Sequence, residues 1–524
     1  MNISTSIQKL RDSANMSQES FAALFGVSRQ SVQKWESGAS VPELDKIIKI
    51  AKYFGVTVDS VLFGGSNRIT PQPQSKEIKP NYDNIESWDP LCNDLMVEFA
   101  EALDEGLDVE KYKDVFTAVS AMPKSEYKKE MSGILSNIVL NANQKSGYKY
   151  IEPSSLDEIK ALRKDYTFKA EMPDKNLLKA KIHGAWAGRA CGCLLGKPIE
   201  GIRTDELFPL LKSTGNYPMH RYILSSDITD EMCDSYDFCL SGKCYADTVD
   251  GMPVDDDTNY VVLAQRVIDE SGRDFTSKDI SSAWIKYQSV NSYFTAERVA
   301  YCNILNGFEP PESAVHKNPY REWIGAQIRG DYFGYINPGN PEAAADMCFT
   351  DAAVSHTKNG IYGEMFAGAM IACAAVTDNI EDIIKGGLAQ IPSTSRLYEA
   401  ITGIIGDFKN GVSYDGCIKK IHTLFDEHTG HGWCHTIPNA MIVATALLYG
   451  NKDFGKSLCL AVSAGFDTDC NGATVGSIVG MINTIGGIPK EWTAPLNDKI
   501  HTSIFGYETV SISQCAEHTL EHIK

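Results

Sequence analysis

The 524 residues exceed one ordinary domain of ~100–200 residues, and a composition of 43% hydrophobic and 22% charged residues is that of a globular protein. The net charge of −19 excludes a surface that grips nucleic acid throughout. No apolar run reaches membrane-spanning length, the first residues lack a signal-peptide pattern, and the 14 cysteines have no regular spacing. Those features predict a cytoplasmic protein with reduced thiols and no membrane contact.

The charge is uneven along the chain. Residues 1–65 hold seven Lys/Arg against six Asp/Glu, so a DNA-binding function belongs here if anywhere. Ile7 and Leu10 begin one helix. Ser17 caps a second that carries Phe21, Ala22, Leu24 and Phe25. Gly26-Val27-Ser28 makes a tight turn, and Ser28 caps a third helix from Arg29 to Trp35. Gly38 and Pro42 then precede a helix built on Leu44, Ile47, Ile48 and Ala51. Two helices joined by a short turn are the helix-turn-helix pattern. Leu10-Arg11, Met16-Ser17-Gln18-Glu19, Phe21-Ala22, Val27-Ser28, Val32 to Gly38, Pro42 and Leu44 carry a further signal. On these residues the segment resembles the repressor-like family of small helical DNA-binding domains. The resemblance implies that Arg29, Gln30, Ser31, Gln33 and Lys34 face DNA and that Gln18 contacts phosphate. Near-neutral charge implies weak binding by a single copy, so a homodimer reading two half-sites is expected.

Residues 66–82 are polar and Pro-containing, the composition of a linker. Helical spacing returns over 83–178, a helical spacer with one helix on Leu95, Val97, Phe99, Ala100 and Leu103 and another on Met131, Ile134, Leu135, Ile138 and Val139. It holds no paired carboxylates, Cys/His cluster or phosphate loop, so its expected role is to pack on the C-terminal body.

That third body is expected over 179–512. Gly184, Gly188, Gly192 and Gly196 recur every four residues, which on a helix puts them on one face and calls for a second backbone in close contact. Cys191-Gly192-Cys193 lacks a complementary Cys or His pair and is a weak metal signal. Glu200 comes next, in a loop. Asp255-Asp256-Asp257-Thr258 precedes a buried helical pattern. One Asp suffices to cap a helix, whereas three in a row suit a hard cation. Gly325 to Gly334 reads as a loop whose N–H groups can cradle an anion. His356 precedes another buried helix. Gly465-Phe466-Asp467-Thr468-Asp469-Cys470 repeats the acidic helix start. If the two acidic starts are neighbours, five Asp converge on one place, and oxygen ligands of this kind suit Mg²⁺ or Mn²⁺.

These motifs, with Gly486-Gly487-Ile488-Pro489-Lys490-Glu491-Trp492, resemble the ADP-ribosylglycohydrolase family over about 180–495. The resemblance implies an all-α fold and a cleft with two Mg²⁺ (or Mn²⁺) ions. It also implies hydrolysis of the glycosidic bond of an ADP-ribosyl group, on an ADP-ribosylated protein or a small ribosylated metabolite. The family's paired acids match Asp256 with Asp257 and Asp467 with Asp469; with the neighbouring Asp255 and Cys470 these are the expected metal ligands. Glu200 or Asp256 deprotonates water, and Gly325, Gln327, Arg329, Gly330, Tyr332 and His356 bind substrate. Four positions depart from the family pattern. Asp255 stands for Thr or Ser, Cys470 for a metal-binding Thr, Ile324 for Asn and Tyr332 for Pro. They imply a retained metal centre and an altered substrate pocket. The alternative is a transcription regulator whose hydrolase-like domain only senses an ADP-ribose-like ligand.

Overall fold

A computed structural model describes residues 3–63, 89–166, 168 and 171–523; the linker expected at 66–82 lies outside them. The chain divides into two units, Met1–Asn84 and Ile85–Lys524. The fold is all-α in class. The only strands among the described residues are Lys499–His501 and Thr509–Ser511, paired antiparallel with Ile500 opposite Val510. No described helix is long and apolar enough to cross a membrane.

The first unit contains α1 (Ile3–Ser13), α2 (Gln18–Leu24), α3 (Arg29–Ser37), α4 (Leu44–Phe54) and α5 (Val58–Phe63). The Ser17 and Ser28 hydroxyls accept the N–H groups of Ser20 and Ser31, which starts α2 and α3 where the sequence places them. Gly38 ends α3 in the left-handed conformation. Phe21, Phe25, Val32, Trp35, Ile47 and Ile50 form the core. Burying Val32 and Trp35 leaves the opposite face of α3 in water.

In the second unit, α6 (Leu95–Asp104) and α7 (Glu126–Leu140) share a core of Leu95, Phe99, Phe116, Leu135 and Val139. Residues 85–178 group with the rest of this unit. Arg321 explains the attachment: it donates to Glu98 and Glu105, each at 2.8 Å, in a buried cluster at α6.

Five long helices organise the remainder: α8 (Lys175–Gly196), α9 (Asp256–Ser271), α10 (Lys358–Ala374), α11 (Thr436–Gly450) and α12 (Thr468–Gly487). Thr484 interrupts α12 with a φ of 61°. α8 starts earlier than expected, at Lys175, because Asp174 accepts the N–H groups of Asn176 and Leu177. The body also runs past 512, through the helix Ile512–Thr519, where the Thr519 hydroxyl accepts the indole N–H of Trp186 on α8 at 3.0 Å.

The glycine face of α8 has its partner backbone in α12. Gly184 lies against Gly480, Gly188 against Gly476 and Gly192 against Gly472, so the two helices run antiparallel. A Cβ on Gly188 would collide with the Gly476 carbonyl oxygen. This contact brings the end of α8 to the start of α12, where the Thr468 hydroxyl donates to the Gly196 carbonyl at 3.0 Å. One expected loop is corrected. The chain turns only as far as Gly330, and Asp331–Tyr335 is helical. Arg189 draws Asp331 inward, and Tyr332, Phe333 and Tyr335 are buried.

Candidate functional site

The two acidic helix starts do meet. Asp255 is the N-cap of α9, and its carboxylate accepts the Asp257 N–H at 2.9 Å. Asp467 is the N-cap of α12 but makes no capping bond with its side chain. Asn439 on α11 accepts the Asp467 N–H at 3.2 Å and binds Asn471 at 2.8 Å, which fixes the start of α12. Lys197 and Glu200 come directly after the end of α8. Lys197, Glu200, Asp255, Asp256, Asp467, Asp469 and Cys470 all line one cavity of about 410 Å³. Phe294, Trp323, Ile324 and Trp433 form its apolar walls. Trp433 is held by its indole N–H on the Phe466 carbonyl at 2.6 Å, and the Arg203 guanidinium lies 5.0 Å over its ring.

The acids are crowded and mostly dry. Asp255, Asp257, Asp467 and Asp469 are buried, Asp256 is half-buried, and Glu200 reaches water. Burial and the charge of Asp255 push the Asp469 carboxyl well up; burial and Glu200 do the same to Asp467. The charge of Asp469, then burial, pushes up Glu200. Two cations answer part of this charge. Lys197 donates to Asp255 at 2.5 Å. Arg189 donates to Asp257 Oδ1 at 3.2 Å, to the Asp257 carbonyl at 2.8 Å and to Asp331 at 2.6 Å.

The residues present fit a divalent cation. Asp257 Oδ2 and Asp469 Oδ1 are buried without a hydrogen-bond partner, which is costly unless a cation or proton meets them. One donor atom each from Cys193, Asp255, Asp257 and Asp469 falls within 4.8 Å of the others, and so do Asp467, Asp469 and Cys470. The donors are mainly carboxylate oxygens, as Mg²⁺ and Mn²⁺ require. Cys193, set aside on sequence, stands in this cluster. Burial, then the charge of Asp257, pushes the Cys470 thiol well up.

The residues expected to bind substrate separate. Gly325 lines the cavity. There Glu297, also a lining residue, leaves no room for a Cβ. Gln327, Arg329, Gly330, Tyr332 and His356 are not among its lining residues, and their expected placement is corrected. Arg329 is buried in ion pairs with Glu297 at 2.6 Å and Asp351 at 2.5 Å. Gly330 packs on Glu364 of α10, and Gln327 is buried. The Tyr332 hydroxyl meets His522 Nδ1 at 2.6 Å inside the core. His356 is buried beside Ser355, and burial, then Arg329, pushes its pKa well down. Tyr332 enters the core with Asp331, whereas Arg329 is held there by Glu297 and Asp351 and His356 lies beside Ser355. Lys197, Glu297, Phe294, Trp323 and Trp433 escaped the sequence reading because nothing in their local pattern marks them. Lys197, between Gly196 and Glu200, and Trp323, directly before Ile324 and Gly325, stood beside recognised motifs.

In the first unit, Arg29, Gln30, Gln33 and Lys34 are exposed on α3. Arg29 pairs with Glu19 at 2.9 Å, both in water. Ser31 is half-buried and its hydroxyl shares a hydrogen bond with Ser28 at 2.9 Å. Gln18 is half-buried and its amide donates to Glu36 at 2.7 Å.

Residues 7–61 match the helix-turn-helix family model. Over 64 residues the chain is 39% identical to the HTH-type transcriptional activator BcrR of Enterococcus faecalis, covering 12% of this chain and 31% of that protein. A solved structure described as an ADP-ribosylglycohydrolase-related protein complex is 15% identical, with a TM-score of 0.37, covering 67% of this chain and 100% of that one. Residues 174–519, most of the chain, match the family model described as ADP-ribosylglycohydrolase. The chain therefore belongs to the ADP-ribosylglycohydrolase family and joins that domain to a helix-turn-helix domain in residues 7–61.

Proposed function

We propose that the second unit is a cation-dependent glycosidase acting on an ADP-ribosyl or related ribosyl group, and that the first unit binds DNA so that the chain serves as a transcription regulator. The observation that carries the enzymatic reading is the single cavity into which Glu200, Asp256, Asp467 and Asp469 converge. Its volume of about 410 Å³ lies in the usual range for small-molecule sites, ~300–1,000 Å³. The DNA-binding reading rests on the exposed polar face of α3 and on the helix-turn-helix match. The regulatory role finds support in the described activity of the BcrR relative.

Asp467, Asp469 and the neighbouring acids would hold Mg²⁺ or Mn²⁺, which when bound supplies Lewis-acid polarisation and a charge for orienting hydroxyls. Glu200 opens on the cleft beside Asp469 and is the first choice to take the proton of the attacking water; Asp256 is the second. The remaining carboxylates stabilise positive charge developing on the ribose ring in an oxocarbenium-like transition state. Trp323, Trp433 and Phe294 offer apolar surface to the rest of the substrate and exclude water. Ile324 offers no side-chain hydrogen bond, which directs the pocket away from a polar contact at that wall.

Purified full-length protein with Mn²⁺ is expected to release ADP-ribose or ribose from at least one member of a panel of ADP-ribosylated amino acids, peptides and ribosylated metabolites. Asp256→Asn is expected to lower that turnover by ~10²–10⁴-fold without lowering the melting temperature. No release from any panel member would sink the enzymatic reading. A ligand that binds without turnover and shifts DNA affinity would instead establish the sensing alternative, which the fused helix-turn-helix favours.

A further inference from the structure

The groups able to hold a cation at or behind the cleft wall form two overlapping halves that share Asp469; Cys193 and Asp257 do not line the cavity itself. One contains Cys193, Asp255, Asp257 and Asp469; the other contains Asp467, Asp469 and Cys470. Their partners differ. In the first half each Asp255 oxygen has a partner: one accepts the Asp257 N–H at 2.9 Å and the other accepts the Lys197 ammonium at 2.5 Å. Arg189 holds Asp257 through Oδ1, while Asp257 Oδ2 has no hydrogen-bond partner. In the second half no cationic side chain among the described residues forms an ion pair with Asp467 or Asp469. Asp469 Oδ1 has no partner, and the Asp467 carboxylate accepts the weak Cys434 thiol at 3.8 Å. Glu200, another acid, stands beside them.

We propose that this cleft holds one divalent cation, in the Asp467–Asp469–Cys470 half, and that the Lys197 ammonium takes the place of a second cation in the half next to Asp255. The proposal rests on the cation-dependent reading above. Lys197 is suited to this place. It opens the short 3₁₀ turn Lys197–Ile199 directly after α8, so the glycine contact between α8 and α12 fixes its backbone relative to Asp469. Its side chain is 19% exposed and that of Asp255 is 2% exposed, so the pair is largely shielded from water. An ammonium is a compact point charge that balances carboxylates without demanding a coordination shell. A divalent ion bound to Cys193, Asp255 and Asp257 would lie against it, and like charges at contact in a dry site repel strongly.

The test counts bound ions. Metal-free full-length protein is loaded with Mn²⁺, desalted, and measured for manganese per chain by elemental analysis and for ion–ion coupling by electron paramagnetic resonance. One ion per chain with the hyperfine pattern of an isolated Mn²⁺ is expected. Lys197→Met is expected to gain a second ion and a spin-coupled signal, while Lys197→Arg keeps one. Two coupled ions in the natural sequence would overturn the proposal and leave the cation-dependent reading intact. No bound manganese in either protein would overturn both. If Lys197→Met fails to fold, the count on the natural sequence and on Lys197→Arg decides, since two ions in either removes the role given to the cation at position 197.

Discussion

Asp255 shows how one side chain can satisfy two readings of a sequence. Three acids in a row suggested a cation site, and a single Asp suggested a helix cap. The Asp255 carboxylate caps α9 and also binds Lys197, while Asp256 and Asp257 occupy the first turn. Asp255, the extra acid beside the family's pair, meets Lys197 with one oxygen and the Asp257 N–H with the other. A second acid is instructive because neither of its oxygens has a hydrogen bond. Glu101, on α6, is fully buried. Burial, then the charge of Glu322, raises its pKa well above the ordinary value. A raised carboxyl stabilises the fold fully below the unfolded value of ~4.3, and that contribution is lost as pH rises through the folded value. Gln at this position does not titrate. Glu101→Gln is therefore expected to raise the melting temperature near neutral pH, with the gain shrinking as pH falls towards ~4.3. Thermal melts across that range check it, and a gain that does not change with pH would rule out the buried carboxyl as its source.

The pairing of α8 with α12 sets the geometry of the cleft. Four glycines at four-residue spacing announced that another backbone packs on α8, but not which one. The answer was visible in outline, since Gly472, Gly476 and Gly480 repeat the same spacing after the second acidic motif. Two such faces fit each other because neither carries a Cβ, and the fit places Glu200 and Lys197 beside Asp467 and Asp469. Gly188→Ala forces the helices apart at the Gly476 carbonyl. It is expected to destabilise the fold by about 1–3 kcal/mol and to weaken Mn²⁺ binding. Denaturant melts and metal titration measure the two effects, and a stable variant with unchanged metal affinity would refute the link. The reverse lesson comes from Gly325–Tyr335. Its glycines read as an anion loop, yet Arg189, by taking Asp331 into the core, turns the second part into helix and buries Tyr332.

The two units divide their labour by charge. The chain as a whole is strongly acidic, and the exposed polar face of α3 belongs to a nearly neutral segment. DNA recognition is therefore proposed to depend on base contacts from α3 and on two copies reading half-sites about 34 Å apart, rather than on bulk attraction. Gln33→Ala in the full chain is expected to cost about 1–3 kcal/mol of operator affinity at one base position and to leave glycosidase turnover unchanged. Binding titrations against an operator selected from random DNA, with light scattering for the copy number, test this. Loss of affinity equal across all sequences would assign Gln33 to phosphate contact.

Local pattern was enough for the starts of α2 and α3 and the end of α3, because Ser17, Ser28 and Gly38 act on residues three or four positions away. It was enough for the acids, because an acidic cluster before a buried helix is costly and so stands out. It could not reveal Lys197 as the partner of Asp255, Glu297 beside Gly325, or the aromatic walls from Trp323 and Trp433. Those contacts join residues far apart in the chain, and their geometry comes from how α8, α9, α11 and α12 pack. Distance along the chain carries no record of such packing. Tyr332 and Arg329 show the same limit from the other side: a motif names residue types, but only the fold decides whether they face the cleft or the core.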